Sequence, residues 1–182
     1  MAIYYPPAFI NGYMKEKITE YFKDNPLDGF VGDTTLPFFP TMPTNLDDLM
    51  TTFPNGNGQF AVYDRMFKLR RNPFPHIKSE QLLYYFYATG TNPIPFMIEV
   101  SQKVQDLLDN EDESAQELNE WISDKQSSND PIRDDSGSIL PPVFFHRIRV
   151  YQLEETRDLI DFGTARTYAG NKIIIDYDWH KS

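Results

Sequence analysis

The sequence predicts an α+β fold: a mainly antiparallel sheet of about four or more strands, helices packed on one of its faces, and a long proline-rich loop near the N-terminus. Three observations carry that prediction. Leu82-Leu83-Tyr84-Tyr85-Phe86-Tyr87-Ala88 is apolar on both faces, which places it inside a sheet, because a strand with one wet face alternates. Phe96, Met97, Val100, Val104, Leu107 and Leu108 recur at three- and four-residue steps, the single stripe of an amphipathic helix over Ile94 to Leu108. Near the C-terminal end, Ile173, Ile175, Tyr177 and Trp179 alternate with period two, as in a strand with one buried face.

The first element is a helix over Ala8 to Lys23, with Phe9, Ile10, Tyr13, Met14, Ile18, Tyr21 and Phe22 along one side. Gly12 weakens its start by on the order of 1 kcal/mol relative to alanine, so docking rather than propensity has to hold it. Residues 25–57 change character. Pro26, Pro37, Pro40, Pro43 and Pro54 cannot donate ladder hydrogen bonds, and an extended loop far longer than ordinary connections is expected, with a short helical stretch over Leu46 to Met50 capped by Asn45. Phe60 to Leu69 is a strand, with Phe60, Val62 and Met66 on one face and Ala61, Tyr63, Phe67 and Leu69 on the other. It runs into a basic tip, Lys68-Leu69-Arg70-Arg71.

Residues 60–108 thus form a strand-strand-helix core. Its helix follows a turn at Gly90, with Asn92 as N-cap, Pro93 at the first helical position and Pro95 where the backbone N–H is unpaired in any case. The acidic run Asp109 to Glu113 is expected as a break. Ser114-Ala115-Gln116-Glu117 has capping-box spacing and opens a short helix carrying Leu118, Trp121 and Ile122. Residues 125–138 have the polar composition of a flexible loop. C-terminal strands occupy 143–180. Pro141-Pro142 blocks a helix, Val143 to Leu153 is rich in β-formers, and alternation puts His146, Ile148 and Val150 on one face and Arg147, Arg149 and Tyr151 on the other. Tyr168 to Lys172 is expected as a bulge or turn before the last strand.

A chain of 182 residues is most simply one domain, able to bury roughly 70% of the surface of its unfolded form. There is no cysteine, which excludes a disulfide scaffold and cysteine-based zinc sites and fits a reducing cytosol. No stretch is long and apolar enough to cross a membrane, and the start lacks the basic-then-apolar order of a leader, so a soluble, unexported protein is expected. A net charge of −10 argues against sequence-independent binding to nucleic acid. The 11 Tyr and 14 Phe serve cores and subunit contacts equally well.

The one constellation with the spacing of a site is Asp176-x-Asp178-x-His180, whose alternate positions aim at one face and offer oxygen and nitrogen ligands to a divalent ion, as a metal-dependent hydrolase would need. The competing reading is the wet face of an edge strand, its carboxylates opposite Arg147 and Arg149 across the ladder. That reading is favoured, because catalytic ligands come from several elements. His76, His146 and His180 lie far apart and read as separate surface or packed residues. Neither a Gly-x-Ser-x-Gly nor a phosphate-loop motif occurs, and Asn55-Gly56-Asn57-Gly58 is a turn signal. No catalytic, cofactor-binding or metal residue is therefore assigned. The basic tip reads first as a solvated strand end; the sharper reading is contact with an acidic neighbour, and the candidate interface residues are Arg65, Lys68, Arg70, Arg71, Tyr85, Tyr87, Arg147 and Arg149.

The order of these elements resembles the tail terminator, or tail completion, proteins of contractile-tailed bacteriophages. The resemblance is carried by the helix Ala8 to Lys23, the strands Phe60 to Phe67 and Leu82 to Thr89, the helix Ile94 to Leu108, and the closing strands Phe144 to Leu153 and Ile173 to Trp179. It implies a structural subunit without catalytic residues or cofactor. Such a subunit assembles with copies of itself as a hexameric ring on the last ring of the tail tube, ends tube elongation, and joins the tail to neck or connector proteins and to the uppermost sheath. DNA passes through the ring without specific binding. The place implied is the tail–neck junction of a virion assembled in the host cytoplasm. A neck or sheath-capping protein is the alternative within that class, and an adaptor module that stays monomeric is the alternative outside it.

Overall fold

The computed structural model describes residues 3–25, 38–39, 58–70, 74–89, 93–134, 136–161 and 167–182, with side-chain surroundings defined outside 38–70, 88–94, 96, 111 and 152–169. Eight elements follow in chain order: α1 (Pro6–Asp24), β1 (Phe38–Phe39), β2 (Gly58–Arg70), β3 (Lys78–Thr89), α2 (Pro93–Leu108), α3 (Glu111–Ser127), β4 (Val143–Asp161) and β5 (Thr167–Lys181). The strands lie in the order β1-β2-β3-β5-β4. β3, β5 and β4 run antiparallel and form the part of the open sheet that carries the three helices.

The apolar run 82–88 lies inside the sheet, with β2 on one side of β3 and β5 on the other. Alternation divides it. Leu82, Tyr84 and Phe86 face the core together with Ile173, Ile175, Tyr177 and Trp179 of β5, and all seven are buried. Phe9, Ile10, Tyr13, Met14 and Ile18 of α1, Val100, Val104 and Leu108 of α2, and Leu118 and Ile122 of α3 close over that face in one cluster. Gly12 has a packing reason. A Cβ there would meet the Trp121 ring at 3.1 Å, so the glycine lets α1 approach α3 closely. Lys125 of α3 bonds Glu16 of α1 at 2.7 Å across the same pair of helices.

One polar device crosses the core. Asn171 Nδ2 donates to the Met97 carbonyl at 3.1 Å and to Ser101 Oγ at 2.7 Å, and Ser101 Oγ donates to the Met97 carbonyl at 2.8 Å. These bonds satisfy a buried amide and hold α2 to β5.

Several expectations are corrected. β5 is an interior strand, not an edge, because three consecutive isoleucines give it apolar side chains on both faces. Asp176 is accordingly buried rather than wet. Residues 168–172 belong to β5 and are no turn. The irregularity lies opposite them on β4, between Thr156 and Ile160, and Gly170 is required where a Cβ would meet the Tyr87 ring at 2.9 Å. β4 extends to Asp161 rather than Leu153, and its polar run keeps the ladder pairing with β5.

The expected break is confined to Asp109-Asn110, and the rest of the acidic run is helical. α3 begins at Glu111, its carboxylates sit at the positive end of the helix, and Asn110 Nδ2 donates to Glu113 Oε2 at 2.5 Å. Ser114 is buried inside the helix instead of capping it, and α3 runs through Ser127. Beyond it, Asp134 Oδ1 accepts from the Ser136 and Ser138 N–H groups, each at 2.9 Å, in a turn with Gly137 at φ 84°. Within the proline-rich segment, Phe38–Phe39 pairs in parallel with Ala61 and Val62. The rest of that segment, its expected short helix, Arg71 and the Asn92 cap lie outside the described residues.

Candidate interaction surface

Core packing takes one face of the sheet, and the charged and imidazole residues converge on the other. Antiparallel register stacks them in rows across β3, β5 and β4. Ser79, Asp178 and Arg147 form one row, and Gln81, Asp176 and Arg149 the next. Arg147 Nε donates to Asp178 Oδ2 at 3.0 Å, its second nitrogen reaches Asp176 at 3.5 Å, and Arg149 reaches Asp176 at 3.6 Å. The opposition of carboxylates and arginines read from the sequence is present, though around a buried Asp176. Asp176 and Asp178 face these arginines and do not converge with His180. Among the described residues no group of three or more His, Asp or Glu side chains is arranged to hold a metal ion.

The bulge between Phe145 and Arg147 changes which face His146 takes. Alternation grouped His146 with Ile148, but the extra residue puts it beside Arg147 on the face away from the helices. Its Nε2 lies 2.6 Å from His180 Nδ1, and Phe144 packs on both imidazoles with centroids 5.2 Å away. His76, just before β3, meets the His180 ring edge-on at 6.2 Å, and Phe74 lies 6.4 Å from His76. All three histidines of the chain therefore meet at one end of the sheet, which sequence reading missed. The signal was the pairing of 143–153 with 173–181, which sets Phe144 opposite His180. Partial desolvation lowers the His146 pKa, and the neighbouring His180 and His76 lower it further against the pull of Asp178.

At this corner α3 and the start of β4 enclose a groove of about 680 Å³ lined by Asp112, Asn119, Glu120, Phe144 and His146. Asn119 binds the outer edge of β4 as a neighbouring strand would. Its Nδ2 donates to the Phe145 carbonyl at 2.8 Å, and its Oδ1 accepts from the Phe145 N–H at 2.9 Å.

The sequence-predicted interface residues divide. Arg147 and Arg149 are half-buried in the ionic rows. Tyr85 and Tyr87 stack at 6.1 Å further along the same face, where Tyr85 is half-buried and Tyr87 is buried. Burial, with Tyr85 adding to it, pushes the Tyr87 hydroxyl well above the usual tyrosine range. Arg65 and Arg70 take positions opposite Leu82 and Ser79, and Lys68 lies within β2 at the irregularity between Met66 and Arg70. Arg71 lies outside the described residues. Comparison of the chain with protein-family models and with curated protein sequences gives no match.

Proposed function

We propose that this chain is a structural virion protein whose copies form a ring that caps a phage tail tube, ends its elongation and joins it to the neck. The observation that carries this reading is the outer strand β4. It is 19 residues long, it ends the sheet, and it presents Phe144 and Tyr151 at 42% and 48% exposure beside Arg147 and Arg149. Closed rings grow from heterologous contacts between identical subunits, and an outer strand with exposed aromatics is a natural half of such a contact. A sheet of four or more strands supplies the second edge, near which the basic residues Arg65, Lys68, Arg70 and Arg71 stand in sequence. The net charge of −10 suits a channel through which DNA passes without adhering. No described helix is long and apolar enough to cross a membrane.

Light scattering across a concentration series, with and without tail tubes of the same particle, tests the reading. A hexamer, or a monomer that becomes a ring only on tube ends, is expected. A monomer indifferent to tubes overturns it.

A further inference from the structure

We propose that His146 and His180 form a proton-sensitive clasp between the start of β4 and the end of β5, closed near neutral pH and opened by mild acid. The contact itself supplies the reason. At 2.6 Å between His146 Nε2 and His180 Nδ1, one ring nitrogen must donate and the other accept, so the closed pair holds at least one neutral imidazole. Protonating both leaves two N–H donors and two positive charges face to face.

The surroundings do not absorb the second charge. His76 contributes a third imidazole against His180, and Arg147 is a fixed cation in the adjacent row. Asp178, the carboxylate nearest the pair in that row, already accepts from Arg147 at 3.0 Å. Lys78 and Lys181 extend over the Trp179 and Tyr4 rings. From α3, Asp112 and Glu120 line the groove onto which His146 opens. A charged His146 thus gains carboxylate neighbours by leaving His180, which gives the open state its own stabilisation.

The fold lets this corner open locally. His146 is the extra residue of a bulge between the Phe145–Trp179 and Arg147–Asp178 pairs, so its release loosens the ladder from this end. Asn119 keeps Phe145 tied to α3 when the clasp releases. Opening uncovers Phe144, which packs on both imidazoles in the closed form.

Two measurements on the whole chain test the proposal. In a histidine NMR titration His146 should titrate below the ordinary imidazole value of about 6.5. A His146 midpoint at or above that value overturns the clasp. In hydrogen exchange, protection of the His146, Arg147 and Asp178 to Lys181 amides should fall about tenfold between about pH 7.5 and 5.5, relative to the amides of Phe145, which Asn119 holds, and of Ile173 to Ile175. His146→Gln retains hydrogen-bonding capacity without a titrating charge and should abolish that fall. An equal fall in the variant, or none in the parent chain, overturns the proposal.

Discussion

Phe86 is fully buried, stacks on Tyr84 at 5.7 Å, and sits where β3 meets the helices. Phe86→Ala should leave a cavity that the surrounding strands close only in part, at a cost of about 3–5 kcal/mol. Chemical denaturation should show the midpoint falling with an unchanged slope, and a harmless substitution would remove Phe86 from the core. The Glu16–Lys125 pair works on a smaller scale. Burial pushes the Glu16 carboxyl up, but the hydrogen bond and charge of Lys125 outweigh it and hold the group below its ordinary value. The Glu16 bond in turn raises Lys125. A carboxyl with a lowered folded pKa stabilises above its unfolded pKa, about 4.3, and loses that contribution as pH falls through the folded value. A raised lysine contributes below about 10.4 and loses its share as pH climbs past that. Glu16→Gln should therefore cost roughly 0.2–1 kcal/mol at neutral pH, as partly exposed pairs do, and almost nothing in acid. Thermal unfolding of both chains at the two pH values reads the difference.

At the level of elements, Asn119 is the residue that joins α3 to the outer strand. Asn119→Ala removes both hydrogen bonds to Phe145, and the loss of stability should be about 1–3 kcal/mol, with amide exchange rising at Phe145 before the rest of β4. A stability loss without that local signature would mean that α3 and β4 do not meet there. Neither partner announces this contact, since a polar residue on a helix and a phenylalanine in a strand each look ordinary. What pattern could reach was the one-face packing of α1 and α2 and the inward set of β5, because burial of a stripe or of alternate residues leaves a period in the sequence. It could not reach the start of α3, because Ser114 and Glu117 have the spacing of a cap while lying inside the helix. Nor could it reach the far part of β4, where Glu154, Glu155 and Thr156 show no apolar period and the strand is defined by its backbone pairing with Lys172, Asn171 and Gly170. The bulge at His146 was equally silent. One extra residue reverses the face of everything after it, and only the ladder register reveals it. For the same reason the arginine–aspartate rows were legible, whereas the meeting of three histidines was not.

For the whole molecule, the two ends of the sheet are unequal, and that inequality is what a ring requires. At one end β4 presents Tyr151 and Phe144. Toward the other, β2 ends at Arg70, opposite Ser79 in the row that continues to Asp178 and Arg147. A surface of one kind meeting one of another kind gives head-to-tail contact, which closes into a ring when the rotation between subunits allows it. Tyr151→Lys places on the outer strand the kind of charge with which natural sheets prevent edge pairing. It should lower the assembled mass by light scattering while moving stability by no more than about 0.5 kcal/mol, as exposed substitutions do. Arg70→Glu with Arg71→Glu tests the opposite end and should likewise weaken assembly or docking to tubes with the fold intact. If β4 and the basic tip are two halves of the same contact, combining all three substitutions should weaken assembly by less than the sum of the separate effects, because groups in one interface are coupled. Strict additivity would place the two surfaces in different contacts, one between subunits and one with the tube or neck. Unchanged assembly in the charge-reversed protein would remove the basic tip from the interface and leave β4 as its sole support.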